Sequence, residues 1–223
     1  MTSINTLTDA ALIPLPESFY MHSTEMVAMD LLGRLIVRNT PEATMMARIV
    51  EVEAYFGEDD PASHASRGMT PRNSIMFGRA GIAYVYLNYG VHYLFNVVTG
   101  REGVAGAVLI RAIEPIYGIE SMMKNRSAKS EIALTNGPGK LTKALGINIK
   151  HNGVDLTTDK SDLYIAIGVQ KPFSIINSPR VGIATGKDLL LRFAIKGNPY
   201  VSGAKFRSRS SKEISNYGFR MPL

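Results

Sequence analysis

The sequence predicts a single α+β domain in which strands and helices are mixed. Alternation of apolar and polar residues, the pattern of strands, recurs in several stretches. Helical stretches interrupt the strands without the regular strand–helix alternation of a parallel sheet. No repeat, low-complexity linker or clear boundary divides the 223 residues. We therefore expect one domain over residues 1–223, with an N-terminal arm at 1–16 and a basic C-terminal tail at 203–223.

The first half of the chain predicts a helix, two strands and a hairpin. Ser23 or Thr24 can cap the helix, and Gly33 can end it. The strands are expected at 35–38, 46–55, 84–87 and 92–98, with turns at 39–42 and 88–91 and short helical or irregular pieces at 61–67 and 71–76. The turn at 88–91 makes the last two strands a hairpin with Tyr89 at its tip.

The second half predicts a buried strand, two helices and three further strands. The apolar run 105–110 indicates the buried strand. The Gly-rich segment 136–140 introduces a helix that Gly146 can end. The helices are expected at 115–125 and 141–145, and the later strands at 163–169, 180–183 and 189–195.

Composition excludes several classes of function. The chain has no cysteine, which rules out disulfides, thiolate catalysis and cysteine-ligated zinc. No apolar run is long enough for a membrane span, and residues 1–9 lack a secretory signal, so a cytoplasmic, bacterial-type protein is the simplest expectation. A net charge of +6 favours a phosphate-bearing partner such as nucleic acid, although many basic proteins bind none.

Glu53 is the candidate general base. It shares one side of its strand with Tyr55, and His64 follows in an acidic, polar segment. A carboxylate walled by aromatic rings is partly desolvated, which makes it a better proton acceptor. A solvated, outward-facing glutamate is the alternative. Glu51 lies on the same side, so a pair of carboxylates for glycoside chemistry is a further alternative. His64 and the nearby carboxylates could also form a metal site, although their spacing is irregular.

Four tyrosines, at positions 84, 86, 89 and 93, lie within ten residues. Tyr84 and Tyr86 share one face of their strand and could simply be core aromatics with hydroxyls at the rim. Tyr89 sits beside Gly90 in a turn, where Asn, Asp or Gly is usual. We therefore expect an exposed wedge that enters a base stack, with a tip packed on a neighbouring loop as the alternative.

Asn96 and Arg111 are polar residues in or beside apolar strands. A buried Asn either pins a backbone group or reads the edge of a ligand, and the sequence does not separate the two. Arg111 follows the apolar run 105–110, and its simplest role is an internal ion pair with Glu114.

Basic residues in loops can contact a DNA backbone. Lys140 ends a Gly-rich turn that can hold one phosphate but lacks the pattern of a nucleotide triphosphatase; a plain helix start is the alternative. The basic loop 67–72 includes Arg72, and the stretch 205–212 concentrates charge in a surface tail.

Taken together, these motifs resemble the alkyladenine (3-methyladenine) DNA glycosylase family, of the single-domain type. They occur in the family's order from about residue 31 to residue 202, across nearly the whole chain. They comprise RIVEVEAY at 48–55, TPRN at 70–73, YVY at 84–86, YG at 89–90, Asn96, LIRAIEP at 109–115, NGPGKL at 136–141, RVGI at 180–183, RF at 192–193 and GNPYVS at 197–202.

The resemblance implies a curved antiparallel sheet with a protruding hairpin, and a role for each site residue. Glu53 would activate a water for attack on the deoxyribose C1′, and Arg111 would help to position that water. The other implied roles concern the damaged base and the DNA: Tyr55 and Tyr86 sandwich the flipped base, His64 lies at the pocket edge, Asn96 clashes with the 2-amino group of guanine, and Tyr89 fills the gap in the duplex.

The resemblance also implies partners and exclusions. The expected substrate is double-stranded DNA with alkylated or deaminated purines, which Arg72 and Lys140 help to bind, and the expected state is a monomer. No metal or cofactor is expected. Cleavage of the DNA strand needs an amine nucleophile, and the resemblance places no lysine in the pocket, so a monofunctional enzyme is expected.

Three hypotheses of function therefore stand. The first is a metal-free DNA glycosylase, which the motifs favour. The second is a noncatalytic nucleic-acid-binding module that uses the tyrosines as stacking platforms. The third is a metal-dependent hydrolase built on Glu51, Glu53, Asp59 and His64, and it lacks a recognisable ligand spacing.

Overall fold

A computed structural model describes residues 9–168, 172–203 and 212–214 of the chain. Within these residues, nine strands form one antiparallel sheet with five α-helices around it, and short 3-10 helices lie at Asp9–Leu12, Ser74–Phe77 and Ile149–His151. The strands are β1 Leu35–Asn39, β2 Thr44–Tyr55, β3 Ala83–Asn88, β4 His92–Val98, β5 Ala107–Tyr117, β6 Leu163–Ala166, β7 Ile175–Ser178, β8 Arg192–Ile195 and β9 Lys212–Ile214. The helices are α1 Glu17–Tyr20, α2 Thr24–Leu31, α3 Ile119–Asn125, α4 Glu131–Thr135 and α5 Pro138–Leu145.

The sheet runs in the order β3-β4-β5-β2-β8-β7-β9, and β1 pairs with both β2 and β6. Its register places Tyr84, Asn96, Leu109, Glu53 and Arg192 side by side across five neighbouring strands. Because side chains of paired residues project to the same face of a sheet, residues far apart in sequence meet on one surface, the site face. The prediction of a curved antiparallel sheet in a single mixed domain is confirmed.

The opposite face of the sheet is the core face. Val52, Val85, Phe95, Val97 and Ile110 alternate with the site-face residues and are buried in the main apolar cluster. The apolar residues of α2 and α5 join the same cluster, as the sequence patterns of these helices indicate. The core thus supports the central strands from behind and leaves their other face for function.

Glycines end the two helices as predicted. Gly33, with φ of 85°, follows α2, and Gly146, with φ of 68°, caps α5. Left-handed backbone of this kind favours glycine because a side chain would meet steric strain there. The α5 helix begins at Pro138, three residues before the predicted start at 141, because proline fits the first turn of a helix.

The β3–β4 hairpin carries Tyr89 at its tip, as predicted. Tyr89 and Gly90 both have positive φ, 49° and 71°. Two consecutive residues of positive φ give the turn whose twist matches a tight hairpin. Tyr89 is 87% exposed, so the alternative of a tip packed on a neighbouring loop is wrong.

Several predicted elements are wrong in extent or kind. The strand expected at 163–169 ends at Ala166 as β6. The helix expected at 115–125 begins only at Ile119, because β5 continues through Pro115 to Tyr117. Residues 180–183 form a bend rather than a strand, and the strand in this region is β7, Ile175–Ser178. The strand expected at 189–195 is shortened to β8.

The two predicted terminal regions are described only in part. In the arm, Leu15 donates a backbone hydrogen bond to Ile165 of β6, which ties residues 9–16 to the domain. In the tail, β9 pairs with β7, and most of the basic stretch 205–212 lies outside the described residues. None of the described helices is both long enough and apolar enough to span a lipid bilayer.

Candidate active site

A cavity of about 670 Å³ lies against the site face, between the β3–β4 hairpin, the end of β2, the start of α5 and the bend at 180–183. Most of the predicted site residues line it. They are Tyr55, His64, Tyr86, Tyr89, Asn96, Arg111 and Lys140. A volume of this size is ordinary for a small-molecule pocket, so it can hold a single base.

Glu53 lies directly behind the cavity wall and is 0% exposed. Its Oε2 accepts hydrogen bonds from the Tyr55 hydroxyl at 2.8 Å and from Arg111 Nη1 at 3.2 Å. Its Oε1 accepts the backbone N–H of Val181 at 2.7 Å. The solvated glutamate considered from sequence is therefore wrong. Because an ionised carboxylate can accept about four hydrogen bonds, capacity remains for one from a water molecule.

Arg111 reaches Glu53 from β5, which carries a bulge at this residue. Glu51 pairs with Ala112 and Val52 with Ile110, so Arg111 is the extra residue. A bulge re-aims the side chain at the irregularity, and here Arg111 also donates from Nε to Glu51 Oε1 at 3.0 Å. The internal pair of Arg111 with Glu114 considered from sequence is wrong, since Glu114 contacts Arg48 instead.

Glu51 is a structural carboxylate held by several donors. Arg192 Nε donates to it at 2.7 Å, and both the backbone N–H and the hydroxyl of Ser202 donate as well, at 2.6 and 2.9 Å. Burial alone would raise the pKa of Glu51, but the charges of Arg111 and Arg192 and the Ser202 bond outweigh burial and hold the pKa below its ordinary value. Glu51 is thus a fixed negative charge beneath Arg111.

Tyr55 is a donor to Glu53. Burial, followed by the nearby Glu53 charge and the hydrogen bond to it, raises the pKa of the Tyr55 phenol well above its ordinary value. The ring lines the cavity, while the Arg180 guanidinium lies over it at 4.6 Å from the ring centroid. The hydroxyl therefore stays protonated and fixed toward the carboxylate.

Tyr84 and Tyr86 of the hairpin, together with His64, form an aromatic wall of the cavity. Tyr84 and Tyr86 have ring centroids 5.2 Å apart, and His64 packs edge-on against Tyr86 at 4.6 Å. The Tyr84 hydroxyl lies 2.9 Å from His64 Nδ1. Burial, with the nearby Arg72 charge, lowers the pKa of His64, which favours the neutral imidazole. Tyr84 is thus both a buried aromatic and part of the cavity wall.

Arg72 supports this wall and lies outside the cavity lining. Its guanidinium lies 5.5 Å from the centroid of Tyr86, and Nη2 is 3.5 Å from the carbonyl of Leu87. The loop that carries Arg72 is held by Asn73, whose Nδ2 donates to the carbonyls of His64 and Gly68 at 2.8 and 3.0 Å. Contact of Arg72 with DNA stays a prediction.

Asn96 combines the two interpretations considered from sequence. Its Nδ2 donates to the backbone carbonyl of Tyr84 at 3.0 Å, across the β3–β4 pair. Its side chain is 4% exposed and also lines the cavity. The backbone bond fixes the direction of the amide, so a base in the cavity would meet a rigid polar edge.

The expectation of a pocket without lysine is wrong. Lys140 and Lys143 both line the cavity, beside Gly137 and Gly139 at the start of α5. Lys140 Nζ donates to Asn136 Oδ1 at 2.7 Å, which holds the ammonium close to this turn. The cavity therefore contains two amines, and the absence of DNA strand cleavage stays a prediction.

From sequence, Asp60 was considered only as part of a possible metal site, and no role was assigned to Asn73, Arg180, Val181 and Arg192. Asp60 looked like its neighbours Glu58 and Asp59, yet it is fully buried while they are exposed. The motifs TPRN and RVGI contain three of these residues, the motif RF contains Arg192, and these motifs were the available signal. Among the described residues, no cluster of three or more His, Asp or Glu side chains could hold a metal ion.

Comparison with known proteins gives one consistent result. Residues 18–199 match the family model described as methylpurine-DNA glycosylase (MPG). A protein of Carboxydothermus hydrogenoformans named "Putative 3-methyladenine DNA glycosylase" is 50% identical over 191 residues, covering 84% of this chain and 98% of the relative. Proteins of the same name from Prosthecochloris aestuarii and Methanoculleus marisnigri are 50% and 48% identical, over 83% and 84% of this chain and 89% and 98% of their own lengths.

Proposed function

Since this chain belongs to the methylpurine-DNA glycosylase family, we propose that it removes damaged purines from DNA by hydrolysing the N-glycosidic bond. The substrates would be purines alkylated at N3 or N7, together with hypoxanthine and ethenoadenine. The base would leave the duplex and enter the cavity on the site face, since the bond is out of reach inside the stack. We expect a monomer to act on double-stranded DNA.

The position of Glu53 is the observation that carries the proposal. The carboxylate lies behind two cavity residues, Tyr55 and Arg111, and bonds to both. A water between Glu53 and the sugar of a flipped nucleotide would lose a proton to the carboxylate as its oxygen attacks C1′. Arg111 would orient this water, and the buried setting would strengthen each of these interactions.

The leaving base sets how much help the reaction needs. As the C1′–N bond breaks, its electron pair moves onto the base. An N-alkylated purine is cationic, so the pair neutralises it and it departs readily. Hypoxanthine is neutral and must gain a proton as it leaves. We therefore expect faster release of alkylated purines than of hypoxanthine.

The aromatic cavity would hold the base before the bond breaks. Tyr55, Tyr86 and His64 line the cavity and offer stacking surfaces. Stacking contributes about 1–3 kcal/mol per base, comparable with the few kcal/mol that extrusion costs. The fixed amide of Asn96 would disfavour a base with a 2-amino group. Tyr89 would occupy the gap left in the duplex.

A base-release assay tests the proposal. The protein, in EDTA, is incubated with a duplex that carries one ethenoadenine or hypoxanthine, and with methylated DNA. Wild type is expected to release free base without breaking the strand. Glu53→Gln should release none while still binding the lesion duplex, because the amide keeps the shape but cannot take the proton from water.

The same assay separates the alternative functions. Activity that disappears in EDTA and returns with a divalent cation would support the metal-dependent hydrolase. Tight lesion binding without release from any of the three substrates would support the binding module. Strand breaks that form without alkali would contradict a monofunctional reaction and would point to the cavity lysines.

A further inference from the structure

Two loops beside the cavity are joined by the buried ion pair of Asp60 and Arg180. Arg180 Nη1 and Nη2 contact the two carboxylate oxygens of Asp60 at 2.5 and 2.7 Å, a bidentate arrangement. Both residues are buried, and neither lines the cavity. Burial would raise the pKa of Asp60, but the hydrogen bonds and charge of Arg180 and the backbone bonds to the carboxylate hold it below its ordinary value. The pair is thus ionised and geometrically fixed.

Arg180 fixes the ring of Tyr55. Its guanidinium lies over one face of the ring, and its Nη1 also donates to the carbonyl of Ala54, the residue before Tyr55, at 2.9 Å. A base that stacks on Tyr55 must therefore use the other face of the ring. The guanidinium packs against the back of the ring and prevents the ring from tilting away from the cavity.

Arg180 also fixes a donor to the candidate base. Val181 follows it in the chain, and its N–H donates to Glu53 Oε1 at 2.7 Å. Val181, Gly182 and Ile183 then line the cavity. Because the bend at 180–183 belongs to no strand, the ion pair supplies the constraint that a sheet ladder would otherwise give.

Asp60 extends the same constraint to the opposite loop. Its carboxylate accepts the backbone N–H groups of Phe56 and Ala62, both at 3.1 Å, and so shapes the segment between β2 and His64. Ala62 and His64 line the cavity. The pair therefore joins the segment that carries His64 to the segment that carries Val181, with Tyr55 between them.

We propose that the Asp60–Arg180 pair is a positioning device for the reaction, which keeps Tyr55 and the Glu53 carboxylate in place before a base enters. This inference rests on the proposed function. Buried ion pairs are a weak source of stability, since apolar side chains of similar volume often serve equally well. The contacts of this pair converge instead on Tyr55 and on the donor to Glu53, the two groups that most need fixed geometry.

The test uses Arg180→Lys and Asp60→Asn in the full chain. Lysine keeps the positive charge but loses the two-pronged hydrogen bonding and the planar surface of the guanidinium. Asparagine keeps the shape of the aspartate side chain but loses its negative charge. Both variants should lower the single-turnover rate of ethenoadenine release, by about 100-fold where the geometry shifts by about 1 Å. The preference for lesion duplex over undamaged duplex should fall by about fivefold or more, because the stacking face of Tyr55 is no longer fixed.

Arg38→Lys is the matched control. Arg38 is another buried arginine. It lies on β1, outside the cavity lining, and its Nη1 is 2.8 Å from the Asp162 carboxylate. Arg38→Lys should lower the unfolding temperature but leave the release rate and the binding preference at their wild-type values. All measurements are made well below the unfolding temperature of each variant, so that loss of folded protein does not contribute.

The outcomes separate this inference from the proposed function. If wild type releases no base, the proposed function fails; the binding preference then still reports whether the pair positions Tyr55. If wild type is active and both variants match it in rate and preference, the pair is only structural and the inference is wrong. If Arg180→Lys does not fold, Asp60→Asn decides, since it retains one acceptor oxygen and the side-chain shape.

Discussion

The floor beneath the cavity and the tip of the hairpin are built in opposite ways. The floor is a carboxylate–arginine network of buried residues, in which every carboxylate has an arginine partner: Glu51, Glu53, Asp60, Arg111, Arg180 and Arg192. The hairpin tip, residues 87–91, exposes apolar side chains instead, with Tyr89 at 87% and Val91 at 70%. The floor is held by contacts between distant segments, whereas the tip is held by its own turn.

This difference matches what each region has to do in the proposed reaction. A group that accepts a proton must already be in position, because reorganisation during the reaction adds to the barrier. A group that enters DNA must stay accessible. Three carboxylates balance three guanidiniums in the network, so its buried charges compensate one another.

The largest expected effect follows from unbalancing the network. Glu51→Gln leaves Arg111 and Arg192 buried with one counter-charge fewer, so the free energy of unfolding should fall by about 3–5 kcal/mol. Urea denaturation measures the change. Glu114→Gln is the control, because the Arg48–Glu114 pair is partly exposed and such pairs contribute about 0–1 kcal/mol. Equal losses for the two variants would contradict a special role for the network.

The pH dependence of the same variant sharpens the comparison. The folded-state pKa of Glu51 lies below its ordinary value of 4.5. Its contribution to stability is therefore fully present above pH 4.5 and is lost as the pH falls through the folded-state pKa. The gap in unfolding free energy between wild type and Glu51→Gln should accordingly narrow below about pH 4.5. A gap that stays constant between pH 7 and pH 3 would show that the charge of Glu51 does not stabilise the fold.

The tip, and the shared side of β2 that carries Glu53 and Tyr55, were predictable from sequence because their signals are local. A period-two alternation places Glu53 and Tyr55 on one side of β2, and a turn beside Gly90 places Tyr89 at the tip. These features depend on neighbouring residues alone. They required no knowledge of the sheet order.

The network was not predictable from sequence because its contacts are not local. Asp60 and Arg180 are separated by 120 positions, and nothing in either segment specifies the other. Arg111 meets Glu53 across the β2–β5 pair, and neither strand's own sequence specifies that pairing or the bulge at Arg111. Pro115 was misread as a helix start, but it lies beside another register shift of β5, one of the few places where a strand tolerates proline.

The next effect concerns the tip. Tyr89→Asn removes the ring, while asparagine tolerates the positive φ of this position, so the turn and the free energy of unfolding should be preserved. Binding to a lesion duplex should weaken by about 1–3 kcal/mol, the range for loss of one stacking contact. Titration of a labelled duplex measures it.

An exposed apolar residue elsewhere provides the control for Tyr89. Ile13 is 52% exposed and lies outside the cavity lining, so Ile13→Asn should leave lesion binding unchanged. Lesion binding by Tyr89→Asn at the wild-type level would show that the tip is exposed for another reason and does not enter the duplex.

The smallest effect concerns Lys140, which lies at the start of α5 in the cavity lining. Its ammonium is held by Asn136 beside the start of α5, where the positive end of the helix dipole and the lysine charge favour a phosphate. Lys140→Gln should weaken binding to lesion and undamaged duplexes equally, and the slope of log K against log salt should become shallower by about 1. Lys150→Gln, at an exposed position outside the cavity lining, should change this slope less. A lysine that contacts a phosphate releases a counterion on binding, so its loss must change the slope. An unchanged slope for Lys140→Gln would therefore show that Lys140 contacts no phosphate and only shapes the cavity.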